Sequence, residues 1–417
     1  MSHILVLMVL QKCRFCNSEL DRVFIDLGES PLANSYLKEN DFDNEKKYPL
    51  CTFLCENCFL VQLEEIETPE NIFREYAYFS SFSTSWLKHA KDYVDMVVPR
   101  FLLNENSLVI EIASNDGYLL KNFVEKNIPV IVIEPARNIA KTAVEKNIPT
   151  LTKFFDSKLA KELESKGKIA DLIIGNNVFA HVPCLNDFIT GLKILLKPNG
   201  VITLEFPHLL QLIQNNQFDT IYHEHFSYFS LLTVQKIFEH HDLKIFDVEE
   251  LNTHGGSLRL YVTHKENHLI TSSNNILVIL EKEKEFGLEK LSTYEEFSIR
   301  VSKIKIDLQN LIKNIKNDSK NIVCYGAPAK GNTLLNYCDI SINHIDYTVD
   351  KNPHKQNLFL PGTHIPIYSP KKIKDTKPDY ILILPWNLKD EIIEEIKYIR
   401  DWNGKFIIPI PEVKILN

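Results

Sequence analysis

The sequence predicts an α/β protein in three parts: a cysteine-bearing N-terminal module, a central doubly wound domain, and a smaller C-terminal domain that repeats the strand–turn–helix pattern. Three observations carry this reading. Two Cys-x-x-Cys pairs fall within the first 58 positions. Short, continuously apolar runs then alternate with helical patterns from residue 107, which is what a parallel sheet covered on both faces requires. From Asn321 the alternation begins again. At 417 residues the chain is long enough for two or three cores.

Taken in order, residues 4–10 form an apolar run too short to span a bilayer, with no Lys or Arg before it. It reads as a first β-strand or a ragged start, and the protein as cytoplasmic with no membrane partner. The first module extends to about residue 75. The aromatic segment Tyr76-Ala-Tyr-Phe-Ser-Ser-Phe-Ser and a helix over about residues 84–101 follow. Strands are expected at Leu108-Val-Ile-Glu-Ile, Val130-Ile-Val-Ile, Asp171-Leu-Ile-Ile, Gly200-Val-Ile-Thr-Leu-Glu-Phe and His254-Gly-Gly-Ser-Leu-Arg-Leu-Tyr-Val. These set a central domain over 76–265. A charged helical stretch over about 275–316 reads as a connector. The C-terminal domain, 266–417, has strands at Asn321-Ile-Val-Cys-Tyr, Ile345-Asp-Tyr-Thr-Val-Asp and Tyr380-Ile-Leu-Ile-Leu.

The apolar fraction of 44% and charged fraction of 24% are those of a folded globular chain. With 47 basic and 55 acidic side chains the net charge is −8, so no basic excess is available for nucleic acid. Eight cysteines do not make a disulfide scaffold, and four of them sit in the paired motifs.

Cys13-x-x-Cys16 and Cys55-x-x-Cys58 are expected to bind one Zn2+. Each knuckle aims two sulfurs at an ion, and two knuckles complete a tetrahedron. Four thiolates leave no open position, so the metal is structural. Cys51 lacks the knuckle spacing.

Glu111-Ile-Ala-Ser-Asn-Asp-Gly117 follows a strand and opens a helix, presenting backbone N–H groups to a ligand. Glu134 ends the next strand, where doubly wound domains place a carboxylate for ribose hydroxyls. Ala113 and Asn115 stand where a pyrophosphate-binding turn favours glycine. A ligand without phosphates, such as S-adenosylmethionine, tolerates this better. The residues leave a methyltransferase, a dinucleotide oxidoreductase and a purely structural turn open, in that order.

Asp219-Thr-Ile-Tyr222-His223-Glu224-His225 offers a phenol, two imidazoles and a carboxylate in one short segment. These suffice for a base, a group that orients it and a donor to a developing oxyanion. The two-residue histidine spacing excludes the helical zinc-protease motif. A second metal site or a hydrogen-bonded structural cluster are the alternatives.

Together these motifs resemble the deoxysugar C-methyltransferase family, which is zinc-binding and S-adenosylmethionine-dependent. The resemblance rests on Cys13-Arg-x-Cys16, Asp26-Leu-Gly-x-x-Pro-Leu-Ala-Asn34, Cys55-x-x-Cys58-x-Leu-Val-Gln62, Glu111-Ile-Ala-Ser-Asn-Asp-Gly, Asn176-Asn-Val-Phe-Ala-His-Val-Pro183, Glu205-Phe-Pro-His208, Tyr222-His-Glu-His225-Phe-Ser-Tyr-Phe-Ser, His254-Gly-Gly-Ser-Leu-Arg259 and Gly326-Ala-Pro-Ala-Lys-Gly-Asn-Thr333. It runs from about Cys13 to the C-terminus.

The resemblance implies a zinc-binding domain, a class I methyltransferase domain and a Rossmann-like domain contributing to sugar-nucleotide binding. It implies transfer of a methyl group to a ring carbon beside the ketone of a nucleotide-linked, thymidine-diphosphate-type 4-keto-deoxysugar, through an enolate. His225 would be the base, with Tyr222, Glu224 and Tyr76 completing the site. Glu111, Ser114, Asn115, Gly117, Glu134 and Asn177 would hold the cofactor, with Phe154 and Phe155 beside the adenine. His181, His208, His254, Ser257, Arg259, Lys330 and Asn332 would hold the substrate, and Gly255 and Gly256 belong to the same turn. A monomer is expected. The rivals are a sugar O- or N-methyltransferase and a non-catalytic zinc-ribbon module. The apolar start and Cys51 depart from the family pattern.

Overall fold

The computed structural model describes residues 11–73, 84–146 and 148–417. The strand expected over residues 4–10 and the aromatic segment that holds Tyr76 lie outside them. The chain divides into two compact units. The first comprises the described residues up to Arg22 with Phe53–His208 and Phe226–Glu289; the second comprises Val23–Thr52, Leu209–His225 and Lys290–Asn417.

The first unit is built on seven strands: β1 (Val109–Ile112), β2 (Val130–Ile133), β3 (Thr150–Leu151), β4 (Ala170–Asn176), β5 (Leu196–Pro207), β6 (Leu243–Leu251) and β7 (Ser257–His264), in the order β6-β7-β5-β4-β1-β2-β3. β7 runs antiparallel to both neighbours; β5, β4, β1, β2 and β3 are parallel. The apolar runs are continuous because alternate residues enter different cores. Ile110, Ile173 and Ile202 pack on one face, while Val109, Leu172, Ile174 and Val201 pack on the other. Two of the helices start at a side-chain cap that the sequence provides. Asp156 accepts from the Leu159 N–H at 2.7 Å before Ser157–Ser165, and Ser230 from Thr233 at 3.2 Å before Leu231–His240.

The expected connector is two helices. Asn275–Phe286 ends at Gly287, whose φ of +95° and N–H bond to the Glu283 carbonyl make a left-handed cap. Leu291–Asn317 then belongs to the second unit. Its buried residues Tyr294, Phe297, Val301, Ile304, Leu308, Ile312 and Ile315 recur every three or four positions along one face. Phe24, from Val23–Ser30, stacks on Phe297 with centroids 4.9 Å apart.

The second unit's sheet contains β8 (Ile322–Tyr325), β9 (Thr348–Val349), β10 (Ile367–Tyr368), β11 (Tyr380–Ile383), β12 (Lys405–Ile408) and β13 (Lys414–Leu416), ordered β10-β9-β8-β11-β12-β13. All are parallel except β13. This is the Rossmann order, reversing direction between β8 and β11. Both sheets turn alike after their first strand. Ala113 (φ +54°) donates to Ile133 O at 2.7 Å, and Gly326 (φ +89°) to Val349 O at 2.7 Å. Among the described residues no helix is long and apolar enough to cross a membrane.

A Cβ at Gly326 would lie 2.6 Å from Pro385 Cδ, in a backbone conformation that L-residues avoid. Gly326→Ala should therefore destabilise the second unit by about 1–3 kcal/mol, measured as a lower urea midpoint reported by Trp386 and Trp402 fluorescence.

Candidate functional site

The zinc ligands assemble in the first unit. Sγ atoms of Cys13, Cys16, Cys55 and Cys58 all lie within 4.8 Å of one another, with Cys13–Cys58 at 3.6 Å and Cys16–Cys55 at 3.5 Å. Zn–S bonds of about 2.3 Å imply sulfurs about 3.8 Å apart, so the set fits the ion; Cys51 is not part of it. The two knuckles share one backbone design. Cys13 O accepts from Asn17 N at 2.9 Å and Cys55 O from Phe59 N at 2.8 Å, and both following residues are left-handed (φ +62° and +64°). Hydrogen bonds from Cys55 and Cys58 pull the Cys13 thiol well below its ordinary pKa. Gln62, which is buried, donates to Cys13 Sγ at 3.3 Å and accepts from Arg14 N at 3.0 Å.

The cofactor turn follows β1 in the same unit. Glu134 accepts from Asn115 N at 2.9 Å and Ala136 N at 2.8 Å, and each carboxylate oxygen keeps a second lone pair for a ligand hydroxyl. Burial pushes the Glu134 pKa up. Gly117 is required here, with φ +75° and a hypothetical Cβ 2.7 Å from Ile148 Cδ1. Glu111 lies behind the turn, 1% exposed, and accepts from Ser114 Oγ at 2.7 Å. Burial first, with Glu134 and Asp116 adding repulsion, pushes its carboxyl up to about 8. Asn177 (φ +55°) sits at the end of β4, its amide 3.3 Å from His254 Nε2. Phe155 packs edge-on against Phe188, and Phe154 is partly exposed.

The acid–base residues belong to the second unit. His225 N donates to Tyr222 O at 2.9 Å, closing a turn with His223 and Glu224 at its centre. Tyr222 and His225 flank it with rings 4.0 Å apart. His225 Nδ1 lies 2.8 Å from Thr220 O. A carbonyl can only accept, so Nδ1 carries the proton and Nε2 is the basic nitrogen. His223 Nε2 instead donates to Pro49 O at 3.1 Å, and burial lowers its pKa. Glu224, 3% exposed, accepts from Asn34 Nδ2 at 2.6 Å. Thr333 Oγ1 donates to Ile221 O at 3.0 Å, tying this segment to the helix Ala329–Tyr337. Lys330, at that helix's start, donates to Asn387 at 3.0 Å over the Trp386 ring. Burial lowers the Lys330 pKa against the opposing field of Asp219. Asp219 accepts from Trp386 Nε1 at 2.7 Å, and burial pushes its carboxyl up to about 6.

The remaining expected substrate residues divide. Asn332, 1% exposed, donates to Ala33 O at 2.6 Å in the second unit. His181, His208, His254, Ser257 and Arg259 lie in the first. His181 meets Phe73 edge-on at 5.5 Å, and Ser257 donates to Thr253 O at 3.0 Å. His208 is 1% exposed, its Nε2 2.6 Å from Glu283. Arg259 is 4% exposed and bound by Glu205 at 3.0 Å and Glu249 at 3.2 Å. His208 Nε2 and the Arg259 guanidinium are thus engaged in internal hydrogen bonds. Sequence reasoning missed the hub of one such group. Glu205 also takes His89 at 2.9 Å and the Thr253 hydroxyl at 2.9 Å. Burial opposes its charge, but these partners outweigh it and hold the carboxyl below the usual range. Trp86 stacks on His89 and meets His254 edge-on, so the group supports the 253–256 turn. Residues 89, 205 and 259 are too far apart in sequence for any local signal to join them.

Replacing Cys58 by Ser should release zinc and unfold the N-terminal module, because structural zinc affinity is folding free energy. Chelator-based zinc content and circular dichroism check this; a cooperatively folded, zinc-free variant contradicts it. Glu111 makes a second prediction. A folded pKa of about 8 against an ordinary 4.5 means that the neutral form is favoured in the folded state. Its relative stabilisation is complete below 4.5 and is lost as pH rises towards 8, at up to about 1.4 kcal/mol per pH unit. Glu111→Gln should flatten the fall in melting temperature across that window.

Three family models match consecutive stretches: a zinc binding domain over residues 13–73, a methyltransferase domain over 86–248 and a C-methyltransferase C-terminal domain over 252–411. The C-methyltransferase NovU of Streptomyces niveus is 34% identical over 410 residues, covering 98% of this chain and 97% of NovU. Among solved structures, an S-adenosylmethionine-dependent methyltransferase from Clostridium acetobutylicum is 14% identical with a TM-score of 0.35, covering 43% of this chain and 92% of its own. Magnesium protoporphyrin IX methyltransferase from Synechocystis is 16% identical with a TM-score of 0.35, covering 43% and 83%. The full-length match to NovU, the methyltransferase strand order and the four-cysteine cluster agree: this chain belongs to the zinc-binding, S-adenosylmethionine-dependent C-methyltransferase family.

Proposed function

We propose that the protein methylates a ring carbon beside the ketone of a nucleotide-linked 4-keto-deoxysugar, of the thymidine-diphosphate type, through an enolate. The observation that carries this is the tautomer of His225. A histidine whose Nδ1 is held by Thr220 O at 2.8 Å presents a basic Nε2 from a turn that also carries Tyr222 and Glu224. The motif resemblance supports the sugar-nucleotide substrate.

In this reading His225 Nε2 takes the proton from the carbon beside the ketone. The C–H electron pair moves into the enolate, and the Tyr222 hydroxyl donates to its oxygen. Glu224 orients the sugar, and Lys330 with Asn332 serves the diphosphate end. Ser114, Asn115 and Gly117 hold the methionine end of the cofactor, Glu134 its ribose, and Asn177 borders the reacting region. Bound S-adenosylmethionine supplies an electrophilic methyl group. The enolate carbon would take that methyl group, and the carbon–sulfur bonding electrons would remain on the departing sulfur. The enzyme acts as a cytoplasmic monomer.

Incubated in heavy water with a thymidine-diphosphate 4-keto-6-deoxysugar, the protein should exchange the hydrogen beside the ketone, followed by NMR. Adding S-adenosylmethionine should place a methyl on that carbon. His225→Ala should lower both by about 10²–10⁴-fold while calorimetric cofactor affinity stays unchanged. A methyl appearing on oxygen or nitrogen without exchange would sink the enolate route.

A further inference from the structure

The segment Pro31-Leu-Ala-Asn34-Ser-Tyr36 has no part in the chemistry assigned above, yet it reaches that chemistry directly. Asn34 Nδ2 donates to Glu224 Oε1 at 2.6 Å, a short bond to a carboxylate that is 3% exposed. The carboxylate sets the orientation of the amide, because the Tyr36 hydroxyl, 3.4 Å from Asn34 Oδ1, gives its one proton to Ala327 O. A carboxylate accepts and an amide nitrogen donates, so the two roles cannot be exchanged.

The segment is itself pinned to the turn that begins Ala329–Tyr337. Ala33 O accepts from Asn332 Nδ2 at 2.6 Å, and the Tyr36 hydroxyl donates to Ala327 O at 2.6 Å. Lys355 Nζ donates to the same carbonyl at 2.8 Å while lying 5.0 Å from the Tyr36 ring centroid. Thr333, on the same helix, holds Ile221 at the head of the catalytic turn. One helix start therefore fixes both the turn that carries Glu224 and the separate segment whose amide meets Glu224.

We infer that Asn34 is a positioning residue, whose amide fixes the Glu224 carboxylate relative to Tyr222 and His225 and so sets the rate of proton removal. This rests on reading residues 222–225 as the acid–base site. Asn34→Asp keeps the shape but sets a second carboxylate against buried Glu224, so its cost to folding is read separately as a lowered melting temperature.

The test measures exchange beside the ketone of a thymidine-diphosphate 4-keto-6-deoxysugar, and methyl-transfer kcat and KM, for Asn34→Asp, Asn34→Ala, Glu224→Gln and the Asn34→Ala/Glu224→Gln pair. Either Asn34 variant should lower kcat and exchange by about tenfold to a hundredfold, with zinc content and S-adenosylmethionine affinity unchanged. The double variant should be no slower than Glu224→Gln alone. The reversed pair Asn34→Asp/Glu224→Gln should regain the melting temperature of the unaltered protein but not its turnover.

If Glu224→Gln is slow while the Asn34 variants stay within twofold of normal, the inference is overturned. It is equally overturned if the two losses multiply. Normal activity in Glu224→Gln, or no exchange in the unaltered protein, removes the reading of the acid–base site and this inference with it.

Discussion

Four sulfurs that must meet at one point constrain everything around them. The ligands come from two knuckles separated by residues 17–54, and their convergence fixes Val61–Leu63, which follows Cys58 directly. That strand pairs with Ser227–Tyr228 in the register Gln62↔Ser227, and Leu63 N donates to Phe226 O at 3.0 Å. Phe226 follows His225 in the chain. Gln62 carries both ends of this link, since its side chain touches Cys13 while its backbone sits in the strand pair. A metal with no open coordination position is thus tied through backbone register to Ser227–Tyr228. Thr233 adds a second tie, donating to Cys58 O at 3.2 Å.

The two units share a design. In each, the turn after the first strand begins with a left-handed residue, and an acid beyond the second strand accepts from that turn's backbone: Glu134 from Asn115 N at 2.9 Å, Asp350 from Ala327 N at 2.8 Å. In the first unit this is the turn that the proposed function gives to the cofactor. In the second, Tyr36 and Lys355 close on the Ala327 carbonyl, and the helix that follows holds the acid–base segment through Thr333. The same local solution to backbone hydrogen bonding therefore appears once in each unit.

Much of this was legible in the sequence where the signal is local. The cysteine spacing gave the metal cluster, and the apolar runs gave β1, β2, β8 and β11 to within a residue, whereas β5 begins four residues before its run. The turn Tyr222–His225 was visible as a concentration of functional groups, though only the structure separates His225, on Thr220 O, from His223, on Pro49 O. What was not legible depended on distance. β6 hides behind a register shift between Ile245 and Asp247 that breaks its alternation. The Glu205 group joins residues from 89 to 259. Nothing in the composition of residues 23–52, which lie between the two knuckles, announces that they pack with residues 290–417.

That last arrangement bears on synthesis. Val23–Ser30 leaves the ribosome early, but Phe24 stacks on Phe297, within the last third of the chain. At about 5–20 residues per second, roughly 12–50 s separate the emergence of residue 52 from that of residue 290. Throughout that interval the Phe24 face of this strand waits uncovered, open to chaperones and to neighbouring nascent chains. The threading that lets one helix start organise the acid–base segment thus also makes the second unit the last to be completed.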